Sequence, residues 1–139
     1  MATPAISSTI SPTISYVNLF ARDPGSLAAF YASVFGFPEV VADRSPIFHC
    51  LQAGAVRLGF HAGKAYDLLD LADRWPNDRG VTCYVTVEVA SVAELDALCA
   101  RAVGHGALLV KPSYLTYYGS QQCVLTDPES NVFRINHVL

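Results

Sequence analysis

Residues 16–37 read YVNLFARDPGSLAAFYASVFGF, and residues 84–105 read YVTVEVASVAELDALCARAVGH. At an offset of 68 the two stretches share one pattern. Tyr16 meets Tyr84, Val17 meets Val85, Leu19 meets Val87 and Gly36 meets Gly104. Ser15–Ala21 and Cys83–Val89 alternate at period two, the mark of a half-buried strand. Then Asp23-Pro24 and Ser91 with Glu94 supply helix-start chemistry. Leu27, Phe30, Tyr31 and Val34, and likewise Leu95, Leu98, Cys99 and Ala102, form helical stripes. Gly36 and Gly104 are placed to end the helices in the left-handed region.

Working outward, each helix is followed by three predicted strands. They are Glu39–Asp43, Pro46–Gln52 and Ala55–His61 in the first half, and Ala107–Lys111, Ser120–Thr126 and Val132–Val138 in the second. Gly54 and Asp127-Pro128-Glu129-Ser130-Asn131 are turn residues. The expected class is α+β, two tandem βαβββ modules. We assign a tail to 1–13, module 1 to 14–62, a linker helix to 63–79 centred on Lys64–Arg74, and module 2 to 80–139. Trp75 is expected to pack in the linker or cap a pocket.

The chain has 139 residues, 52% hydrophobic and 15% charged, with net charge -3. That excludes disorder and leaves no basic run for nucleic acid. No apolar stretch reaches the roughly 20 residues of a membrane span, and the first residues lack an export-signal pattern. So little charge implies an apolar surface covered by a second copy, a homodimer. Cys50, Cys83, Cys99 and Cys123 include no C-x-x-C pair and read as reduced, buried thiols of a cytoplasmic protein.

The doubled βαβββ unit resembles the vicinal oxygen chelate superfamily of glyoxalases, bleomycin-resistance proteins and extradiol dioxygenases. The resemblance rests on Tyr16–Asp23, Leu27–Phe37, Tyr118-Gly119 and Asp127–Asn131, with Ser130 where the family usually has glycine. It implies curved mixed sheets around a cavity. In many members His, Gln or Glu on the first and last strands of each module hold a divalent metal there. In this chain the corresponding positions are Tyr16, Leu58 or Gly59, Tyr84 and Arg134. A guanidinium offers no lone pair, and neutral phenols are poor ligands. We therefore expect no metal and no cofactor.

Strand alternation assigns Val17, Leu19, Ala21, Val85, Val87, Val89, Phe133 and Ile135 to the helix-covered faces. It leaves Tyr16, Asn18, Phe20, His61, Tyr84, Thr86, Glu88, Arg134 and Asn136 as cavity-facing candidates. Tyr114, Tyr117 and Tyr118 form a lid or a packed dimer edge. Arg134 either anchors an anionic or carbonyl-bearing small molecule, with the tyrosines stacking on it, or pairs with Glu88. His49 reads as structural, and His105 and His137 as solvated. No nucleophile elbow, P-loop or dinucleotide fingerprint occurs. The first reading is a metal-free small-molecule binder. The second is a lyase, isomerase or dioxygenase with a shifted metal at His61, His49 and Glu88, where His61 and Glu88 are also a conceivable acid–base pair. The third is an interaction module with a filled core.

Overall fold

The computed structural model describes residues 11–74 and 80–139. Trp75 and most of the expected tail lie outside them. Seven strands and three helices follow in order: β1 (Tyr16–Phe20), α1 (Pro24–Phe35), β2 (Phe48–Ala53), β3 (Val56–His61), α2 (Ala65–Leu68), β4 (Val85–Glu88), α3 (Val92–Gly104), β5 (Leu108–Leu115), β6 (Ser120–Thr126) and β7 (Val132–Val138). They build two separate mixed sheets, ordered β1-β3-β2 and β4-β7-β6-β5. In each module the first strand runs parallel to the last, and the other pairings are antiparallel. No helix among the described residues is long and apolar enough to cross a membrane.

The helix starts follow from local chemistry. Asp23 accepts the Ser26 N–H at 3.0 Å, with Pro24 opening α1. Ser91 Oγ accepts the Glu94 N–H at 3.1 Å, and Glu94 accepts the Ala90 N–H at 3.0 Å. The Ser26 and Glu94 bonds satisfy donors that the first helical turn leaves free, and the Ala90 bond ties down the residue before the cap. Gly36 closes α1 at φ +73°. Gly104 does not have the corresponding role: it is the last residue of α3, and Gly106 takes the positive φ, 105°.

Two expected elements are different. Glu39–Asp43 is not a strand. Glu39 makes one isolated bridge to Leu51, and Val41–Asp43 turns as a 3-10 helix. That turn carries the Asp43 carboxylate to Tyr16 and Arg57. The linker helix is only α2, followed by a 3-10 turn at Ala72–Arg74. Asp70 at φ +54° stops it, with the Leu71 N–H reaching back to the Tyr66 carbonyl at 2.7 Å and the Asp70 N–H to that of Asp67 at 3.2 Å. These are the bonds of a Schellman ending.

The helices cover one face of each sheet. Leu27, Phe30, Tyr31 and Val34 of α1 and Leu95 and Ala102 of α3 join Leu19, Leu51, Leu58, Phe60, Leu125, Phe133 and Ile135 in one core across both modules. Tyr31 is the joint: its ring lies 5.5 Å from Phe60 of module 1 and 5.6 Å from Phe133 of module 2. Its hydroxyl donates to Asp127 at 2.8 Å, and burial beside that carboxylate pushes the phenol's pKa well up. Glu129 of the same turn accepts the N–H groups of Arg22 (2.6 Å) and Asp23 (3.1 Å). Not every cysteine is buried: Cys50 and Cys123 are, but Cys83 is exposed. His137 is half-buried rather than solvated, its Nδ1 3.0 Å from the Val89 carbonyl.

Candidate functional site

The faces away from the helices carry the polar rows. In module 1, strand pairing sets Tyr16 beside Arg57, Asn18 beside Gly59 and Phe20 beside His61. Arg57, absent from the sequence-based candidates, is the next residue but one before Gly59 on the His61 row, so extending the alternation would have found it. Its Nη1 donates to the Tyr16 hydroxyl at 2.9 Å and to Asp43 at 3.0 Å, and its Nε to Gln52 at 3.1 Å. Tyr16 in turn donates to Asp43 at 2.7 Å. The cation of this face is thus neutralised within the module.

Aromatic rings cover the remainder. Phe20 stacks on Tyr66 of α2 with centroids 4.0 Å apart, and His61 lies 4.5 Å from Phe48. His61 Nδ1 is buried with no hydrogen-bond partner, and burial holds the ring's pKa below the usual value. His49 faces the other way, opposite Phe60, with Nδ1 3.6 Å from Glu39. It does not meet His61, and Glu88 belongs to the other sheet. Among the described residues, no three His, Cys, Asp or Glu side chains are grouped to hold a metal ion.

Module 2 is built differently, with its arginine at the register position that Gly59 holds in module 1. Arg134 sits beside Thr86, and Asn136 beside Glu88. The Arg134 Nε donates to Thr86 Oγ1 at 2.7 Å, and Nη1 to the Tyr118 hydroxyl at 3.1 Å and Gln122 Oε1 at 3.3 Å. The guanidinium carbon lies 5.0 Å from the centre of the Tyr84 ring. Tyr118 donates to Gln122 Oε1 at 2.9 Å, and Gln122 Nε2 donates to the Tyr114 hydroxyl. Glu88 accepts from Asn136 Nδ2 at 2.8 Å and makes no ion pair with Arg134. Of the two readings of Arg134, the internal pair with Glu88 is therefore not formed. Gln122, buried under this network, escaped sequence reading because glutamine on a strand carries no spacing signal.

The register also decides where the family's metal would sit. Asn18 pairs with Gly59 as Thr86 pairs with Arg134, so the four positions are Tyr16, Gly59, Tyr84 and Arg134. A Cβ on Gly59 would lie 2.1 Å from Asn18 Oδ1 and 2.7 Å from the Phe48 ring. No liganding side chain has room there, and Arg134 brings positive charge with no lone pair. These residues do not fit a divalent ion.

A groove of about 600 Å³ runs along the free edge of β4, touching Tyr84 through Glu88. Its opposite wall is Val17, Arg57 and Leu58 with the β2–β3 turn. Tyr117 is 99% exposed and packs edge-on against Tyr118 at 5.1 Å. Thus Tyr84, Thr86, Glu88, Arg134 and Tyr118 come together on one sheet, with Tyr117 beside them. Tyr16, Asn18, Phe20 and His61 stand on the other.

A family model described as a glyoxalase-like domain matches residues 16–136. A glyoxalase/bleomycin resistance protein/dioxygenase family enzyme from Burkholderia phytofirmans PsJN is 46% identical, with TM-score 0.86 over 90% of this chain and 98% of that one. A glyoxalase-related enzyme from Fulvimarina pelagi is 21% identical, with TM-score 0.78 over 90% and 87%. Lactoylglutathione lyase from Agrobacterium tumefaciens is also 21% identical, with TM-score 0.70 over 92% and 95%. The last two likenesses speak for the fold alone. No curated protein matches the chain.

Proposed function

The chain belongs to the glyoxalase-like domain family, and on that premise we propose that it binds a small anionic organic molecule on module 2, without a metal. One observation carries the reading: among the described residues, the charge of Arg134 is met only by Thr86, Tyr118, Gln122 and the Tyr84 ring, all neutral. Its Nη2 is left to donate. A guanidinium held rigidly but not neutralised is a ready receptor for a carboxylate or similar oxyanion. Tyr84, 54% exposed, and Tyr117 offer flat apolar surface for an aromatic part.

The same reading includes a homodimer. Leu108 (69%), Val110 (60%), Leu115 (65%) and Tyr117 are exposed beside the site. A second copy laid on this face would cover them and turn its own Tyr16, Asn18, Phe20 and His61 toward the Arg134 network. The four free thiols support a reducing, cytoplasmic setting.

Titration calorimetry with 3-phenylpropionate tests the site. Arg134→Gln should weaken binding by about 10- to 100-fold, the worth of one hydrogen bond to a charged group. No binding by the natural protein, or equal binding by the variant, overturns the reading. Light scattering after size exclusion tests the dimer; a monomer at every concentration removes it.

A further inference from the structure

Glu88 and Arg134 present opposite charges on the same face without touching. They are diagonal neighbours, since Thr86 pairs with Arg134 and Glu88 with Asn136. Strand spacing and rise put their Cα atoms about 8 Å apart. Long side chains could close that distance, yet each is held away by neutral partners: Arg134 by Thr86, Tyr118 and Gln122, and Glu88 by Asn136. The contrast lies within the same molecule. In module 1, Arg57 and Asp43 meet at 3.0 Å.

A second observation points to a missing donor. Asn136 is 5% exposed, and its Oδ1 is buried without a hydrogen-bond partner. Its amide already donates to Glu88. The Asn136 carbonyl oxygen is therefore a buried acceptor short of a donor, and the exposed Glu88 carboxylate stands at the paired position beside it. A buried unsatisfied acceptor is costly, and such sites are ones where a ligand can supply the missing bond. The groove beside β4 is lined by Thr86 and Glu88, and Arg134 and Asn136 stand on the neighbouring strand β7 beyond its lining.

We infer that the ligand of this site carries a positively charged amine next to its carboxylate, as an α-amino acid or its close derivative does. This rests on the anion-binding reading of Arg134 and specifies what lies beside the anion. The carboxylate meets Arg134, and the ammonium meets Glu88, beside the Asn136 amide. With a hydrogen bond of about 2.8 Å at each end, such a zwitterion can link two head groups that stand too far apart to pair directly. Both protein charges are then neutralised, without either having been neutralised beforehand by the other.

The test compares three probes by titration calorimetry: L-phenylalanine, 3-phenylpropionate (no amine) and 2-phenylethylamine (no carboxylate). L-Phenylalanine should bind at least 10-fold more tightly than either. Glu88→Gln keeps an acceptor for Asn136 while removing the charge. It should abolish that advantage without weakening 3-phenylpropionate, from which it removes a nearby like charge. Equal affinity for L-phenylalanine and 3-phenylpropionate, with Glu88→Gln silent, overturns the zwitterion and leaves the anion site standing. Loss of all binding of both acids to the natural protein overturns the two together. Arg134→Lys, which keeps the charge but not the planar fork, should bind both acids with intermediate affinity; near-native melting of the variants checks that they fold.

Discussion

The two modules share a register, yet each places an arginine at a different position of an interior strand, Arg57 beside Tyr16 and Arg134 beside Thr86, and treats it differently. Module 1 neutralises Arg57 with Asp43 and roofs its open face with Phe20, Phe48, His61 and Tyr66. Module 2 solvates Arg134 with hydroxyls and an amide and leaves its face open. The 3-10 turn Val41–Asp43 is the source of the difference, because it stands where module 2 has the long strand β5. The turn brings the Asp43 carboxylate onto Arg57 and Tyr16. One half has become mainly structural support, and the other keeps a charge available for a ligand.

The comparison can be broken most severely at the joint between the halves. Asp127 is 3% exposed and accepts from Tyr31, the Glu129 and Asn131 N–H groups and the Asn131 side chain. Asp127→Ala leaves those donors buried and unmet, and should cost about 3 kcal/mol or more of stability in urea unfolding. A loss below about 1 kcal/mol would show that the turn does not tie the modules.

Making module 1 resemble module 2 is the next test. Asp43→Ala frees Arg57 and should lower the melting temperature only modestly, because the pair is partly exposed. It should also create a second anion site, raising the stoichiometry for 3-phenylpropionate. An unchanged stoichiometry would show that the aromatic roof, not Asp43, closes module 1.

The hairpin turns differ as well. Module 1 uses Gly54 at φ +66°, whereas module 2 puts Ser130 at φ +70°. A side chain is strained there, so Ser130→Gly should raise stability by about 0.5–1 kcal/mol, read as a higher melting temperature. A lower melting temperature would mean that the serine side chain makes up the strain.

The smallest effect is one of pH. Burial depresses the His61 pKa in the folded state, so the unfolded chain binds that proton more tightly. The contribution of His61 is full above its unfolded pKa of about 6.5 and is lost as pH falls through the folded value. His61→Phe, which suits the neighbouring rings, should melt with less pH dependence between about pH 7 and pH 5. Equal slopes for variant and natural protein would place the acid sensitivity elsewhere.

Much of this was legible beforehand at particular residues. Asp23, Ser91 and Glu94 cap their helices as their spacing indicates, since capping needs only neighbours three residues apart. The alternation put Leu19, Ala21, Phe133 and Ile135 in the core for the same local reason, but Val17, expected under a helix, is 41% exposed and lines the groove, because α1 covers only part of β1. Glu39–Asp43 misled because Val40 and Val41 favour extension, while the Asp43 contact that wins is with residues distant in the chain. The length of α2 misled because leucine spacing carries no sign of an aspartate in the left-handed region.

The doubled unit, its strands and its helix caps were determined by the sequence itself, because period, propensity and capping act within a few residues of one another. Which arginine keeps an unneutralised charge was decided only in three dimensions. Arg57 and Asp43 are 14 positions apart, and Arg134 and Thr86 are 48 apart. Partners so separated are chosen by strand register and by the turn that delivers them, and neither can be read from the spacing of the residues.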